Sequence, residues 1–469
     1  MISLYKHQEE CLEFLKDKQQ AALLMDMGTG KTLTILNQIK RYNTFPCLII
    51  TKNSIKHNWL NEIRQAGFKE EDAIILSGST EKKAEMLKRN HLFFILNYES
   101  VRLLTNDIIE RGLKGIILDE STAIKNPATK VTKAILKIGK KIPSRYILTG
   151  TPVTNNPLDA FSQFQFLDEK ILFFYNFFAF RNYYCRLVER NFGGRRFKEV
   201  IGYQNLPELI SRIKPYSFMI KKEECLDLPE KIYETRIIEM EAEQARLYKE
   251  LKEELITEID SSKSIVVSNI LTKLLRLQQI LGGNAVAENG ENISIKENKT
   301  AELLGTLEEI NGYKSVIWAR FTAEIKRIHS LLIAKGYKAK MIYGEVKPID
   351  RQEIVDSFNQ GETQIIIAQQ QTAGFGLNLI GGNYAIYYSN DWSLQNRQQS
   401  EDRIYRIGQT RKTTIIDLIT RGTMEESIVK ALRVKKGFQD MFFRNNQIGK
   451  NQFSNMLGGI LEKEGGDEE

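Results

Sequence analysis

The sequence predicts an α/β protein built on two parallel sheets, each flanked by helices. Short apolar runs alternate with helix-patterned segments over residues 20–150, and the same alternation resumes near residue 315. The first series opens on a glycine-rich turn set between an apolar run and a helix. Strands separated by helices need crossover connections, which favour parallel pairing with helices on both faces.

In the first series the strand candidates are residues 21–25, 47–51, 73–76, 92–96, 115–118 and 145–148. In the second they are 315–318, 339–342, 364–368, 384–388 and 413–418. The stretch between differs in texture. Residues 160–225 are rich in aromatic and basic side chains, including Phe173-Phe174-Tyr175-Asn176-Phe177-Phe178. Such a run can stack nucleic-acid bases, but its density favours packing of an insertion against the first lobe. Residues 241–282 read as long helices: 241–259 charged and amphipathic, 270–281 apolar on one face, ended by Gly282-Gly283. Residues 284–300 read as loop, and the acidic tail 462–469 as frayed. The expected division is a first lobe over 1–228, with an aromatic and helical insertion at about 160–225. A second lobe follows over 229–469, with a helical insertion at about 236–290, a core at about 296–435 and a C-terminal tail.

With 469 residues, the chain can bury more than one core. Its 42% hydrophobic and 27% charged residues are ordinary for a globular protein. No run approaches the roughly 18 apolar residues of a membrane span, and the N-terminus lacks signal-peptide character. Cys11, Cys47, Cys185 and Cys225 have no metal-ligand spacing, so free thiols in a reducing compartment are expected. A net charge of +8 fits a polyanionic partner.

Two motifs carry chemistry. Met25-Asp26-Met27-Gly28-Thr29-Gly30-Lys31-Thr32 follows an apolar strand and precedes a helix at 33–39. Backbone N–H groups of such a turn, backed by a helix dipole, cradle polyphosphate. Gly28 and Gly30 would allow close approach, Lys31 would reach the β- and γ-phosphates, and the Thr32 hydroxyl would hold Mg²⁺. Met25 stands where the strict pattern has its first glycine. The second motif is Gly115-Ile116-Ile117-Leu118-Asp119-Glu120, an apolar strand ending in two acids. At the carboxyl end of a parallel strand these face the ligand crevice. Asp119 is placed to hold Mg²⁺ through its water shell, and Glu120 to orient and deprotonate the attacking water.

Further segments complete a resemblance. Asp119-Glu120-Ser121-Thr122, Ile124-Lys125-Asn126-Pro127, and Leu148-Thr149-Gly150-Thr151-Pro152 with Asn155-Asn156 resemble the SWI/SNF-like branch of helicase superfamily two. So do Leu4-Tyr5-Lys6-His7-Gln8, Met219-Ile220-Lys221-Lys222 leading to Leu228-Pro229-Glu230-Lys231, Thr372-Ala373-Gly374-Phe375-Gly376-Leu377-Asn378-Leu379, and Gln399-Ser400-Glu401-Asp402-Arg403-Ile404-Tyr405-Arg406-Ile407-Gly408-Gln409. They occur in the family's order.

The resemblance implies two RecA-like lobes and an ATP-dependent double-stranded DNA translocase. Gln8 would read the adenine edge. Gly28, Thr29, Gly30, Lys31, Thr32 and Gly376 would line the nucleotide site. Arg403 and Arg406, read as neighbours on one helical face, would reach the γ-phosphate as arginine fingers. Backbone contacts to DNA would come from Thr51, Lys52, Asn53, Tyr98, Glu99, Lys125 and Asn126 on the first lobe. On the second they would come from Thr372, Ala373, Gly374, Asn378 and Trp392. Two departures stand out. Ser121-Thr122 replace the family's small residue and histidine, so coupling between lobes would run through hydroxyls. Lys221-Lys222 replace an arginine pair, and lysine cannot make bidentate planar contacts, so a brace there would be looser or differently wired.

The expected protein is a compact motor of phage or bacterial type in the cytoplasm, monomeric, using ATP and Mg²⁺. It would act on duplex, forked or branched DNA or on protein–DNA complexes, beside replication, repair or recombination proteins and away from membranes. The chain starts at the adenine motif and ends soon after the sixth motif, with no recognisable reader or nuclease domain. The competing readings are a strand-separating helicase and a nucleic-acid-binding scaffold with a dead ATPase.

Overall fold

The computed structural model describes residues 3–443 apart from 193–194, 262–266, 287–291 and 374–376. The candidates Gly374 and Gly376 lie outside the described residues.

The first sheet contains β1 (Gln20–Met25), β2 (Cys47–Thr51), β3 (Ala73–Ile75), β4 (Phe93–Asn97), β5 (Gly115–Asp119) and β6 (Ser144–Leu148). Next in the chain come β7 (Cys185–Phe192), β8 (Arg195–Tyr203) and β9 (Ser217–Ile220). The order across the sheet is β3-β4-β2-β5-β6-β1-β9, and every recorded pairing is parallel. All five residues of β2 are buried, as a strand covered on both faces requires. β1 and β5 are neighbours of β6 on its two sides, so the glycine turn after β1 and the acids after β5 open at the same edge.

Lys231–Ile238 forms β10, and β11 (Asn284–Val286) pairs antiparallel with β12 (Asn292–Ser294). β13 (Ser315–Ala319), β14 (Ala339–Ile342), β15 (Ile365–Gln369), β16 (Tyr384–Tyr387) and β17 (Thr413–Thr420) follow. The second sheet has the order β10-β17-β16-β13-β15-β14, again parallel. The eleven strand segments read from the sequence all form, with ends shifted by a residue or two. The edge strands β9 and β10 did not appear in that reading.

Two helices, Ala242–Ser261 and Val267–Leu281, pack together where long helices were expected. The 160–225 segment is only partly helical. Ala160–Leu167 and Phe177–Tyr184 are helices, but 185–203 form an antiparallel two-stranded ribbon, β7–β8. The aromatic run splits. Phe180 is fully buried, and Phe174 and Phe177 pack on the first core. Phe173, Tyr175 and Phe178 are 70%, 72% and 66% exposed. All four cysteines are free, three of them buried. Among the described residues no helix is long and apolar enough to cross a membrane.

The helix Met424–Phe443 joins the halves. Phe438 lies in the first lobe's core, while Ile428 and Leu432 cluster with Leu394 of the second.

Candidate nucleotide site and nucleic-acid face

The glycine turn takes the backbone shape its sequence allows. Gly28 and Gly30 both have φ of +81°, the left-handed region that glycine enters without steric cost. Gly30 caps the helix Lys31–Arg41. The Lys31 ammonium donates to the carbonyls of Met25 (2.7 Å) and Asp26 (2.9 Å). Burial pulls Lys31 below the usual lysine range, against the opposing fields of Glu120, Asp119, Asp26 and Asp402. Thr29 is buried and its hydroxyl donates to Asp26 O at 2.7 Å. Thr32 sits in the first helical turn, partly exposed.

Gln8 braces this loop. Its amide donates to Gly30 O at 3.1 Å and accepts from Tyr5 N at 2.8 Å. His7 Nε2 donates to Thr29 O at 2.8 Å, a contact the sequence reading did not anticipate. A Cβ on Gly30 would collide with the Gln8 amide nitrogen.

Asp119 ends β5 with its carboxylate held by two donors, Thr51 Oγ1 at 3.0 Å and Trp59 Nε1 at 2.8 Å. Tyr98 OH donates to the Asp119 carbonyl at 2.8 Å. The hydroxyls of Thr51 and Tyr98, expected at DNA, are thus engaged with Asp119. Their side chains are 0% and 5% exposed and turned inward to support the acid. Lys52 also points its charge at Glu120 and Asp119, and burial lowers its pKa. Glu120 adopts the left-handed region (φ +53°), immediately after β5. Burial raises its pKa and the Asp119 charge adds to the rise, with Lys52, Lys31 and Arg403 opposing.

The second lobe closes over Glu120. Gln395, in the helix Leu394–Glu401, donates to Glu120 Oε2 at 3.4 Å. Arg403 is 7% exposed, donates to the Gln399 and Leu377 carbonyls, and is pushed down to about 10 by burial. Arg406 lies near enough to repel it, and burial lowers Arg406 as well. Arg403 and Arg406 do not share a helical face. The helix stops at Glu401, and both arginines lie in the turns that follow. Those turns are held by Tyr405 N to Glu401 O (3.0 Å) and Leu379 N to Arg403 O (2.9 Å). Buried ion pairs fix the helix itself: Arg397 binds Glu401 at 2.8 Å and Asp417 at 2.5 Å, while Lys231 reaches Glu401 at 3.2 Å.

The lysine pair is differently wired, but not loosely. Lys222 is 2% exposed, and its ammonium binds Asp402 at 2.6 Å and the Tyr405 carbonyl at 2.9 Å. Its backbone N–H donates to Asp26 Oδ2 at 3.0 Å. Lys221 pairs with Asp440 at 2.7 Å. A polar cavity of about 240 Å³ opens between the lobes here, bordered by Asp26, Gly150, Lys222, Asp402, Gln439 and Asp440. Ser121 donates to Gln163 at 2.6 Å, and Gln163 donates to Pro152 O at 2.7 Å. The hydroxyl after the acids thus ties them to the 151–154 loop within the first lobe, not across to the second. Thr122 Oγ1 is buried with no hydrogen-bond partner.

Among the remaining DNA candidates, Lys125 donates to Thr154 Oγ1 at 2.7 Å, and Asn53, Glu99, Asn126 and Asn378 are exposed. Thr372 donates to Gln369 at 3.0 Å. Trp392 is 37% exposed, and Lys435 donates to its carbonyl at 2.7 Å. The Lys125 charge depresses Lys435 further after burial does so, which brings Lys125, Lys435 and Trp392 together across the lobes. Gln395 and Trp59 escaped the sequence reading, since no local pattern marks them; Lys222 and Asp402 stood within quoted motifs, but their pairing with each other was not anticipated.

A phosphate-type glycine loop after β1, an acid pair at the end of β5 one strand away and arginines delivered from a second parallel-sheet lobe define a two-lobed, RecA-like P-loop core. Residues 7–284 match the SNF2-related domain and 296–408 the helicase conserved C-terminal domain. The chain belongs to the SNF2-related family. It is 27% identical to a putative ATP-dependent helicase/translocase, YwqA, of Bacillus subtilis, over 92% of this chain and 48% of that protein. It is 24% identical to an uncharacterized ATP-dependent helicase of Mycoplasma pneumoniae, over 93% of this chain and 42% of that one. The chain thus spans less than half the length of these curated relatives. A solved Sulfolobus solfataricus SWI2/SNF2 ATPase core in complex with dsDNA is 26% identical, with a TM-score of 0.43 and 97% of each chain covered.

Proposed function

We propose that this chain is a DNA-stimulated ATPase that moves along double-stranded DNA. The observation that carries the reading is the convergence on Glu120. Its own lobe supplies Lys31 and Lys52, and the other lobe supplies Gln395 and Arg403. Phosphoryl transfer is catalysed by positioning and charge stabilisation, so a site split between lobes is completed when the lobes meet. Lys31 would trade its loop carbonyls for phosphate oxygens. Glu120, with its raised pKa, would take the water's proton, and Arg403 and Arg406 would stabilise charge on the γ-phosphate.

Mg²⁺ fits the donor set. The Asp119 carboxylate and the Thr32 hydroxyl are hard oxygen ligands, and the ion would neutralise phosphate charge when bound. Among the described residues no group of three or more His, Cys, Asp or Glu side chains could hold a metal unaided. That is how a Mg²⁺ site dependent on substrate phosphates differs from an all-protein cage.

Lys125, Asn126, Trp392 and Lys435 would line the DNA face, and Asn53, Thr372, Gly374 and Asn378 would extend it. Forked or branched DNA and protein–DNA complexes in a bacterial or phage-infected cytoplasm, alongside replication or recombination proteins, are the proposed setting. ATP turnover measured with duplex, forked and single-stranded DNA and with RNA tests the reading. Duplex should stimulate strongly and RNA weakly, and Glu120→Gln should bind ATP without turning it over. Equal rates with and without DNA would remove the motor reading. Strand displacement without triplex displacement would favour a strand-separating helicase.

A further inference from the structure

The β7–β8 ribbon belongs to neither parallel sheet. Two-stranded hairpins are marginal in water unless something holds them. Here the root is held: Cys185 is buried in the first core, Leu187, Val200 and Tyr203 pack on it, and Tyr203 meets the Phe438 ring at 5.2 Å. Further out, Glu189, Arg190, Asn191, Arg196, Lys198 and Glu199 are exposed, and Phe197 is 49% exposed.

Directly paired residues share a face of a ribbon. The pairs Glu189↔Lys198 and Asn191↔Arg196 put Lys198 and Arg196 on one face, and Arg190↔Phe197 puts Arg190 on the other. Arg186 pairs with Gly202, where a Cβ would come within 2.7 Å of its guanidinium, so the bare glycine lets Arg186 lie across the strand. Residues 185–203 hold five Arg or Lys against two Glu. One of those acids, Glu199, binds Arg190 at 2.8 Å.

We propose that this ribbon is an auxiliary grip on duplex DNA, binding backbone phosphates outside the Lys125–Trp392 face. The proposal rests on the reading of the chain as a duplex-DNA motor. A two-stranded ribbon is narrow enough to enter a major groove. Cations on both of its faces then reach phosphate rows on both walls. An eight-residue strand extends about 26 Å, most of a helical turn of DNA, about 34 Å. A protein partner would call for an apolar, charge-depleted centre, and among the described residues the ribbon exposes Phe197, with Ile201 nearer the root, set among charges.

The test uses the full chain carrying Arg190→Ala, Arg196→Ala and Lys198→Ala together, with duplex binding followed through a salt series. The log affinity–log salt slope should become shallower by about 2.7, at about 0.9 per lost phosphate contact. The DNA concentration for half-maximal ATPase stimulation should rise, while basal and DNA-saturated turnover stay as in the parent. Glu199→Gln should act in the opposite direction, with tighter binding, because it frees Arg190. If the parent is stimulated by duplex and the triple variant keeps its slope and half-stimulating concentration, the ribbon proposal fails and the motor reading stands. If the parent is not stimulated at all, both fail. Binding of poly-glutamate, but not duplex, that is lost in the triple variant would assign the ribbon to an acidic protein and overturn the proposal.

Discussion

Replacing Lys222 with methionine should uncouple the lobes while leaving each folded. The ammonium bridges the lobes, 2.6 Å from Asp402 and 2.9 Å from the Tyr405 carbonyl, with 2% of the lysine side chain and 16% of the aspartate exposed. Methionine preserves the stem's packing volume but removes the charge. Stripping one member from a buried pair costs about 3–5 kcal/mol, because the other is left uncompensated. Asp402 keeps some contact with water, so the lower end, about 3 kcal/mol, applies here. The pair joins two lobes and lies in neither core, so the loss should fall on their closure, a shift of about 10²-fold toward the opened arrangement. Arg403 follows Asp402 directly, so turnover should fall with it. Lys222→Arg keeps a cation at the site and should restore most of the activity. Fluorescence transfer between labels on the lobes, read beside DNA-stimulated ATPase activity, measures both effects. A Lys222→Met protein with parental transfer efficiency and parental turnover would refute the coupling argument.

Arg403→Ala or Arg406→Ala should leave nucleotide binding to the first lobe and lower DNA-stimulated turnover by up to about 10³-fold, checked by ATPase kinetics with nucleotide titration. Gly30→Ala should weaken nucleotide binding more than Gly28→Ala. Both positions have φ of +81°, but only at Gly30 does a Cβ also strike Gln8. Glu324 is fully buried, and burial raises its pKa from 4.5 to about 7. A carboxyl with a raised folded pKa stabilises the fold while protonated, so stability should fall as pH climbs from about 4.5 to 7 and then level off. Glu324→Gln should flatten that part of the pH–stability profile in chemical denaturation, and an unchanged slope would rule the residue out as its source.

Strands covered on both faces announce themselves as unbroken apolar runs, which is why Cys47–Thr51 and Ile365–Gln369 were readable. The edge strand Lys231–Ile238 (Lys-Ile-Tyr-Glu-Thr-Arg-Ile-Ile) has neither an unbroken apolar run nor strict alternation and is half exposed, so it read as a connection. For 185–203 the hairpin signal, Gly193-Gly194 between two β-rich runs, was present in the sequence. The neighbouring aromatic cluster drew the reading toward helix. The glycine turn and the acid pair were legible because each is a few consecutive residues with one chemical task. Gln395 on Glu120 and Lys222 on Asp402 join residues 275 and 180 positions apart. Such partners meet only once both sheets exist, and no local spacing encodes them.

The helix Met424–Phe443 is fastened at both ends of its described length. Ile428 and Leu432 sit in the second lobe, Phe438 sits in the first, and Gln439 donates to Gly150 O at 3.0 Å. Twenty residues make a strut about 30 Å long. Two bodies riveted by such a strut cannot simply drift apart. They must swivel about it, or draw a phenylalanine out of a core at about 1.5–3 kcal/mol. The working stroke would then be a limited turn, like the jaws of pliers, and the pin is the helix Met424–Phe443. Phe438→Ala should loosen that pin and enlarge the radius measured by small-angle scattering, and an unchanged radius would mean that the jaws are held elsewhere.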